Sequence, residues 1–213
     1  MKSLTLHTQY VTSLGKFHSA ENGDLMAEIQ NFRLSPDESV LLIVDLQEKL
    51  MTAMPGAPRK RTLDSVHTLI EAASHLGFPI MATEQYPKGL GPTVASLAEA
   101  IPNFSPFEKM TFSCTGAGEF ISDIKALGRS KIILTGCETH VCCYQTALDL
   151  MEIGFIVHAV GDALCSRQKL NWQTGLAALE RAGAIPTTTE QVLFDLLKVA
   201  GTENFKALSR LIK

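Results

Sequence analysis

The sequence predicts an α/β fold: a parallel, doubly wound sheet with helices on both faces. Three observations point there. Short runs such as Val40 to Val44 and Lys131 to Leu134 are continuously apolar rather than alternating, as in strands buried on both sides. Between such runs lie longer amphipathic segments, several closed by glycine: Leu63 to Leu76 before Gly77, Glu119 to Leu127 before Gly128, Leu170 to Arg181 before Gly183. Strand-like and helix-like segments alternate from residue 40 to the end, the pattern of successive βαβ units.

The elements follow in order. Residues 1–34 have weak periodicity and read as an N-terminal arm, with one helix expected around Leu25 to Phe32. The domain spans 35–213. Ser35-Pro-Asp-Glu38 resembles a capping box with proline at the first helical position, a short turn before the first strand. Strands are expected at Val40 to Val44, Phe78 to Thr83, Phe107 to Phe112, Lys131 to Leu134, Phe155 to Val160 and Ile185 to Thr187. The segment with Pro87, Gly89, Gly91 and Pro92 reads as a loop. His140 to Glu152 reads as a helix closed by Gly154. Thr188-Thr-Glu-Gln191 is a capping box opening the helix Val192 to Val199, and Thr202 caps a last one.

Composition excludes several classes. With 213 residues, 46% hydrophobic and 19% charged, the chain suits one soluble domain. A net charge of −3 gives no footprint for nucleic acid or anionic membrane, and the apolar runs are too short to span a bilayer. The first twenty residues lack the apolar stretch of a secretory signal. Five cysteines, an odd number without C-x-x-C spacing, read as reduced thiols in a reducing compartment, which places the protein in the cytoplasm.

In doubly wound sheets, ligands bind beyond the carboxyl ends of the strands where the winding reverses. The residues there are Asp45, Glu84 to Tyr86, Cys137 to Cys142 and Asp162; neither glycine-rich phosphate motif is present. Thr135-Gly-Cys-Glu-Thr-His-Val-Cys142 sets a cysteine at a strand-to-helix junction. With Thr139 as N-cap, Cys142 takes the third helical position, where the helix dipole favours thiolate. Asp45 is either a cap of the following turn or a carboxylate able to accept the thiol proton. Lys109, among apolar neighbours, needs a carboxylate, for which Asp45 is a candidate. Cys143, about 100° further round the helix, reads as a small buried hydrophobe. His140 reads as solvent-facing. His67 and His75 lack partners spaced for a metal site.

Val44-Asp45-Leu46-Gln47, Lys109 in its Phe-Glu-Lys context, and Gly136-x-x-Thr139-x-x-Cys142 resemble the isochorismatase-like cysteine hydrolases over residues 38 to about 200. Thr83 to Gly91 further resembles the isochorismatase-domain-containing branch of that family. The resemblance implies six parallel strands in the order 3-2-1-4-5-6 and a catalytic triad of Asp45, Lys109 and Cys142. It also implies a cis peptide between Cys137 and Glu138 that turns the Glu138 and Cys142 N–H groups into an oxyanion hole. Members acting as nicotinamidases carry a metal-binding Asp and His cluster after the first strand. Met51 to Lys60 contains neither residue, so no metal and no cofactor are expected.

These features lead to an expected hydrolase of a non-peptide C–N bond (amide, ureido or imine) in a small molecule, with Glu84, Gln85 and Tyr86 as candidate pocket lining. The alternatives are a vinyl-ether hydrolase using the aspartate alone and a non-catalytic binding protein on the same fold. Partners follow: a small-molecule substrate, no nucleic acid, no membrane, and a homo-oligomer by resemblance. A redox role for Cys142 with Cys137 or Cys143 is a further reading.

Overall fold

The computed structural model describes residues 28–212. The chain divides into two units, residues 1–33 and 34–213. In the first, residues 28–32 are helical; the start of the expected Leu25 to Phe32 helix and the arm before it lie outside the described residues.

The second unit is built on a six-stranded sheet, β1 (Ser39–Val44), β2 (Ile80–Gln85), β3 (Phe107–Lys109), β4 (Lys131–Cys137), β5 (Ile156–Cys165) and β6 (Ile185–Thr187). All pairings are parallel, in the order β3-β2-β1-β4-β5-β6. Every residue of β1 is buried. Leu41 and Ile43 point into one core layer while Val40, Leu42 and Val44 point into the other. At roughly 1.5–3 kcal/mol for each fully buried aliphatic side chain, this strand anchors both layers.

The helices are α1 (Glu48–Thr52), α2 (Gly56–Leu76), α3 (Pro87–Leu90), α4 (Ala95–Ala100), α5 (Phe120–Ala126), α6 (Tyr144–Glu152), α7 (Lys169–Arg181), α8 (Thr189–Leu197) and α9 (Glu203–Leu208). Val66, Leu69 and Ile70 of α2, Leu97 of α4 and Val192 of α8 cover one face. Phe120 and Ile124 of α5, Ala147 and Leu150 of α6 and Leu179 of α7 cover the other.

Several expectations need correction. The segment after β2 is not loop throughout, because α3 and α4 form within it; both are too short to show a helical period. β5 continues to Cys165, five residues beyond the expected end, so Asp162 lies inside the strand. Its Oδ1 accepts from the Thr189 N–H at the start of α8, 2.9 Å away. Ser35 to Glu38 forms a turn closed by the Glu38 N–H on the Ser35 carbonyl. Thr188 and Thr202 cap α8 and α9, accepting from the Gln191 and Phe205 N–H groups.

The winding reverses between β1 and β4, where their carboxyl ends leave the crevice expected for ligands. Gly136 shapes it. Its φ is +125°, and a Cβ there would stand 2.1 Å from the Val44 carbonyl oxygen. Gly136→Ala is therefore expected to destabilise the protein by about 3 kcal/mol, from backbone strain and overlap together. Urea unfolding of the two proteins measures it; a difference under about 1 kcal/mol would disprove the close approach.

Candidate active site

Asp45 is the first residue after β1 and takes a left-handed conformation, φ 52°. It is fully buried. Oδ1 accepts from the Thr83 hydroxyl at 2.8 Å, and Oδ2 from the Lys109 ammonium at 2.7 Å. The Cys142 thiol lies near enough to the same carboxylate for the Asp45 charge to act on it. Three strands thus bring the aspartate, lysine and cysteine to one point.

Lys109 ends β3, and its side chain is fully buried. Besides Asp45, its ammonium donates to Gln85 Oε1 at 2.8 Å, the Phe112 carbonyl at 2.9 Å and the Thr111 carbonyl at 3.2 Å. Burial pulls the lysine pKa down most strongly, but the Asp45 charge and hydrogen bond, together with the nearby Cys114 and Cys142, more than offset it, and the net direction is up. The ammonium stays charged.

Burial pushes the Asp45 pKa up, and Lys109 and Thr83 restore only part of the shift. The carboxylate therefore holds a proton more readily than an ordinary aspartate, which suits a base.

Cys142 lies in a turn of π-helix, Thr139–Cys143, that precedes α6. Thr139 does not cap it as expected; its hydroxyl donates to the Cys165 carbonyl at 2.9 Å, tying the turn to β5. The expectation of a resting thiolate is also corrected. Burial and then the Asp45 charge push the Cys142 pKa up to about 12, with Lys109 opposing. A sequence reads the helix start but not a carboxylate arriving from another strand.

The Cys137–Glu138 peptide bond is cis. The Glu138 carboxylate accepts from the Arg167 backbone N–H at 2.9 Å and Nε at 3.0 Å. His140 is half-buried rather than solvent-facing, with Nδ1 3.1 Å from the Ser166 hydroxyl. Gly175 of α7 sits against this turn: a Cβ there would lie 3.0 Å from the His140 nitrogen.

The three residues at the end of β2 divide. Glu84 is buried, and Oε1 accepts from the Thr93 N–H at 2.6 Å and hydroxyl at 2.8 Å. Gln85 supports Lys109 and donates to the Met110 carbonyl. Tyr86 is exposed and lines a cavity of about 460 Å³ with Pro87, Lys88, Lys109, Met110 and Thr111. Met110, which lines it, and Phe112, next along the chain from the lining Thr111, are both exposed.

Gln47 was quoted from sequence only within a family motif and given no role, yet it is fully buried and joins three segments. Its Nε2 donates to the Gln85 and Gly91 carbonyls at 3.0 and 2.6 Å, and its Oε1 accepts from the Gln85 N–H at 2.8 Å. A glutamine directly after an apolar strand and its terminal aspartate is the signal available, and it is weak. The support Thr83 gives Asp45 was missed likewise, the residue being read only as part of a strand and of a family motif. Among the described residues, no group of three or more His, Cys, Asp or Glu is placed to hold a metal ion.

Comparison with known proteins places this site in a family. Residues 39–191 match the isochorismatase domain model. The secreted isochorismatase effector Isc1 of Phytophthora sojae is 36% identical over 185 residues, covering 85% of this chain and 87% of that protein. Isochorismatase domain-containing protein 2A of Mus musculus is 35% identical over 184 residues, covering 85% of both. A solved structure described as the MAR1 ribonuclease of Caenorhabditis elegans superposes with a TM-score of 0.78 at 37% identity, covering 84% of this chain and 92% of that one. The YcaC product of Escherichia coli, described as an octameric hydrolase of unknown specificity, superposes at 0.79 with 24% identity, covering 84% and 89%. The chain belongs to the isochorismatase-like hydrolase family.

The electrostatics predict how the thiol reacts. Alkylation of Cys142 by iodoacetamide should rise about tenfold per pH unit between pH 7 and 9, since the thiolate fraction stays small there. Asp45→Asn removes a negative charge and should speed alkylation; Lys109→Met removes a positive one and should slow it. A plateau near pH 7, measured by peptide mass spectrometry, would contradict the raised pKa.

The buried pair also makes a stability prediction. Lys109→Met alone leaves a buried carboxylate uncompensated and should destabilise by about 3–5 kcal/mol. Adding Asp45→Asn should recover part of the loss, as read by urea unfolding of the single and double variants.

Proposed function

We propose that the protein is a cysteine hydrolase that cleaves a C–N bond of a small molecule, an amide, ureido or imine group, with Asp45, Lys109 and Cys142 as its triad. The observation carrying this reading is the Asp45 carboxylate, which is bonded to the Lys109 ammonium and whose charge acts on the neighbouring Cys142 thiol. A thiol with a pKa near 12 is a poor nucleophile at rest, so a base within hydrogen-bond reach is the feature it needs.

Asp45 takes the thiol proton as sulfur attacks the substrate carbon. The developing oxyanion faces the Glu138 and Cys142 N–H groups, which we assign as the oxyanion hole, worth about 3–4 kcal/mol of barrier per donor. Collapse breaks the C–N bond, and the proton on Asp45 passes to the leaving nitrogen. Water then attacks the thioester, Asp45 accepts its proton, and release of the acid returns that proton to sulfur. Lys109 stays protonated throughout and holds the carboxylate in place. Tyr86 faces the substrate; Glu84 and Gln85 brace the wall behind it.

Self-association belongs to the same proposal, as does a reducing, cytoplasmic setting suited to free thiols. The described residues contain no helix long and apolar enough to cross a membrane.

Cys142→Ala should abolish hydrolysis of a hit from an amide and ureide screen while leaving the unfolding transition in place. Retained turnover would instead favour an ether hydrolase using the aspartate. The Caenorhabditis elegans neighbour's description supplies a contrast. The cavity is lined by one exposed cation, Lys88, beside Glu108, which is a poor phosphate cradle. Incubation with single-stranded RNA is therefore expected to yield no cleavage above that of Cys142→Ala.

A further inference from the structure

The five thiols are split between the two faces of the sheet. Cys114, Cys142 and Cys143 belong to the core layer beneath α5, α6 and α7, whereas Cys137 and Cys165 belong to the layer beneath α2. Cys142 and Cys137 therefore pack in different core layers.

Cys137 and Cys165 are the last residues of β4 and β5 and stand in register with one another. Neighbouring strands lie about 4.8 Å apart, within the roughly 4.4–6.8 Å Cα separation that a disulfide spans. Cys137 donates its thiol proton to the Asp45 carbonyl at 3.2 Å, with the Met51 sulfur at 3.8 Å. Cys165 lines a cavity of about 250 Å³, whose walls are Pro55, Pro58 and Trp172 and whose cations are Arg61 and Lys169. Arg61 lies over the Trp172 ring and donates to the Asp162 carbonyl; neither it nor Lys169 pairs with a carboxylate among the described residues.

We propose that Cys165 and Cys137 form a peroxide-reactive dithiol distinct from the Cys142 site, with Cys165 the attacking sulfur and Cys137 the resolving one. The cavity admits a small hydroperoxide to Cys165. Its sulfur attacks the distal peroxide oxygen, the O–O bond breaks, and the alkoxide leaves with the thiol proton as an alcohol, or as water from hydrogen peroxide. Cys137 then attacks the sulfenic sulfur, the S–O bond breaks, and water departs with the Cys137 proton. Two thiols are oxidised by two electrons in all, and one peroxide is reduced.

The local chemistry agrees with this division of labour. The neighbouring Cys137 draws the Cys165 thiol below its usual range, with Thr62 and the Arg61 charge assisting and burial and the Glu138 charge opposing. The neighbouring Cys165, then burial, pushes Cys137 up. Oxidation would strip Cys137 of the proton it now donates to Asp45, so the dithiol adjoins the proposed catalytic aspartate without being part of its triad.

The test treats the whole reduced protein with hydrogen peroxide, blocks remaining thiols and maps peptides. Trypsin leaves residues 132–167 in one piece, so a Glu-specific protease is needed. Cleavage after Glu138 and Glu152 separates Cys137, the Cys142–Cys143 pair and Cys165. The expected product is a Cys137–Cys165 cross-link with Cys142 unoxidised. In Cys137→Ser, a dimedone adduct should accumulate on Cys165; in Cys165→Ser, none should form on Cys137. First oxidation at Cys142, or a Cys165 that stays reduced in the wild-type protein, would overturn the proposal. The wild-type map decides this even if a variant fails to fold, and it does not depend on finding a substrate for Cys142.

Discussion

One buried ion pair sets the conditions for everything around it. Asp45 and Lys109 come from strands separated by β2, and neither charge is tolerable there alone. Three further acceptors close the shell around the ammonium, so the pair also fixes the path of the chain from Lys109 to Phe112. That path forms the cavity wall and carries the exposed Met110 and Phe112. The same carboxylate raises the thiol's affinity for its proton, so the pair decides at what moment the sulfur becomes a nucleophile.

The fold class was legible because burying a strand on both faces leaves a mark on every residue of it. β1, β4 and β6 were found within a few residues of their observed limits for that reason. Legibility fails where burial and polarity mix. β5 runs through Gly161 and Asp162, which read as a strand end, and its extension to Cys165 depends on pairing with β4 beyond a register shift. α1, α3 and α4 span between four and six residues, fewer than two turns, and their helicity comes from tertiary contacts rather than from pattern.

The site was legible in its residue types and less so in its electrostatics. Asp45, Lys109 and Cys142 were each identified from position and local context, and they do converge. The protonation state of the sulfur was misjudged, because a helix dipole is a local property whereas the dominant charge arrives from residues far along the chain. The role of Gln47 escaped notice for a related reason. A buried amide that satisfies three backbone groups looks, in sequence, like any glutamine after a strand.

Gly136 carries a consequence for sequence variation. A clash between two side chains can be relieved by trimming either one, so most packed positions drift in compensated pairs. The Cβ missing at residue 136 would instead overlap the carbonyl and nitrogen of Val44, which every amino acid possesses. No second substitution removes those atoms. The crevice between β1 and β4 therefore contains one position at which variation is barred by the backbone itself, independently of what the neighbouring thiol and carboxylate do.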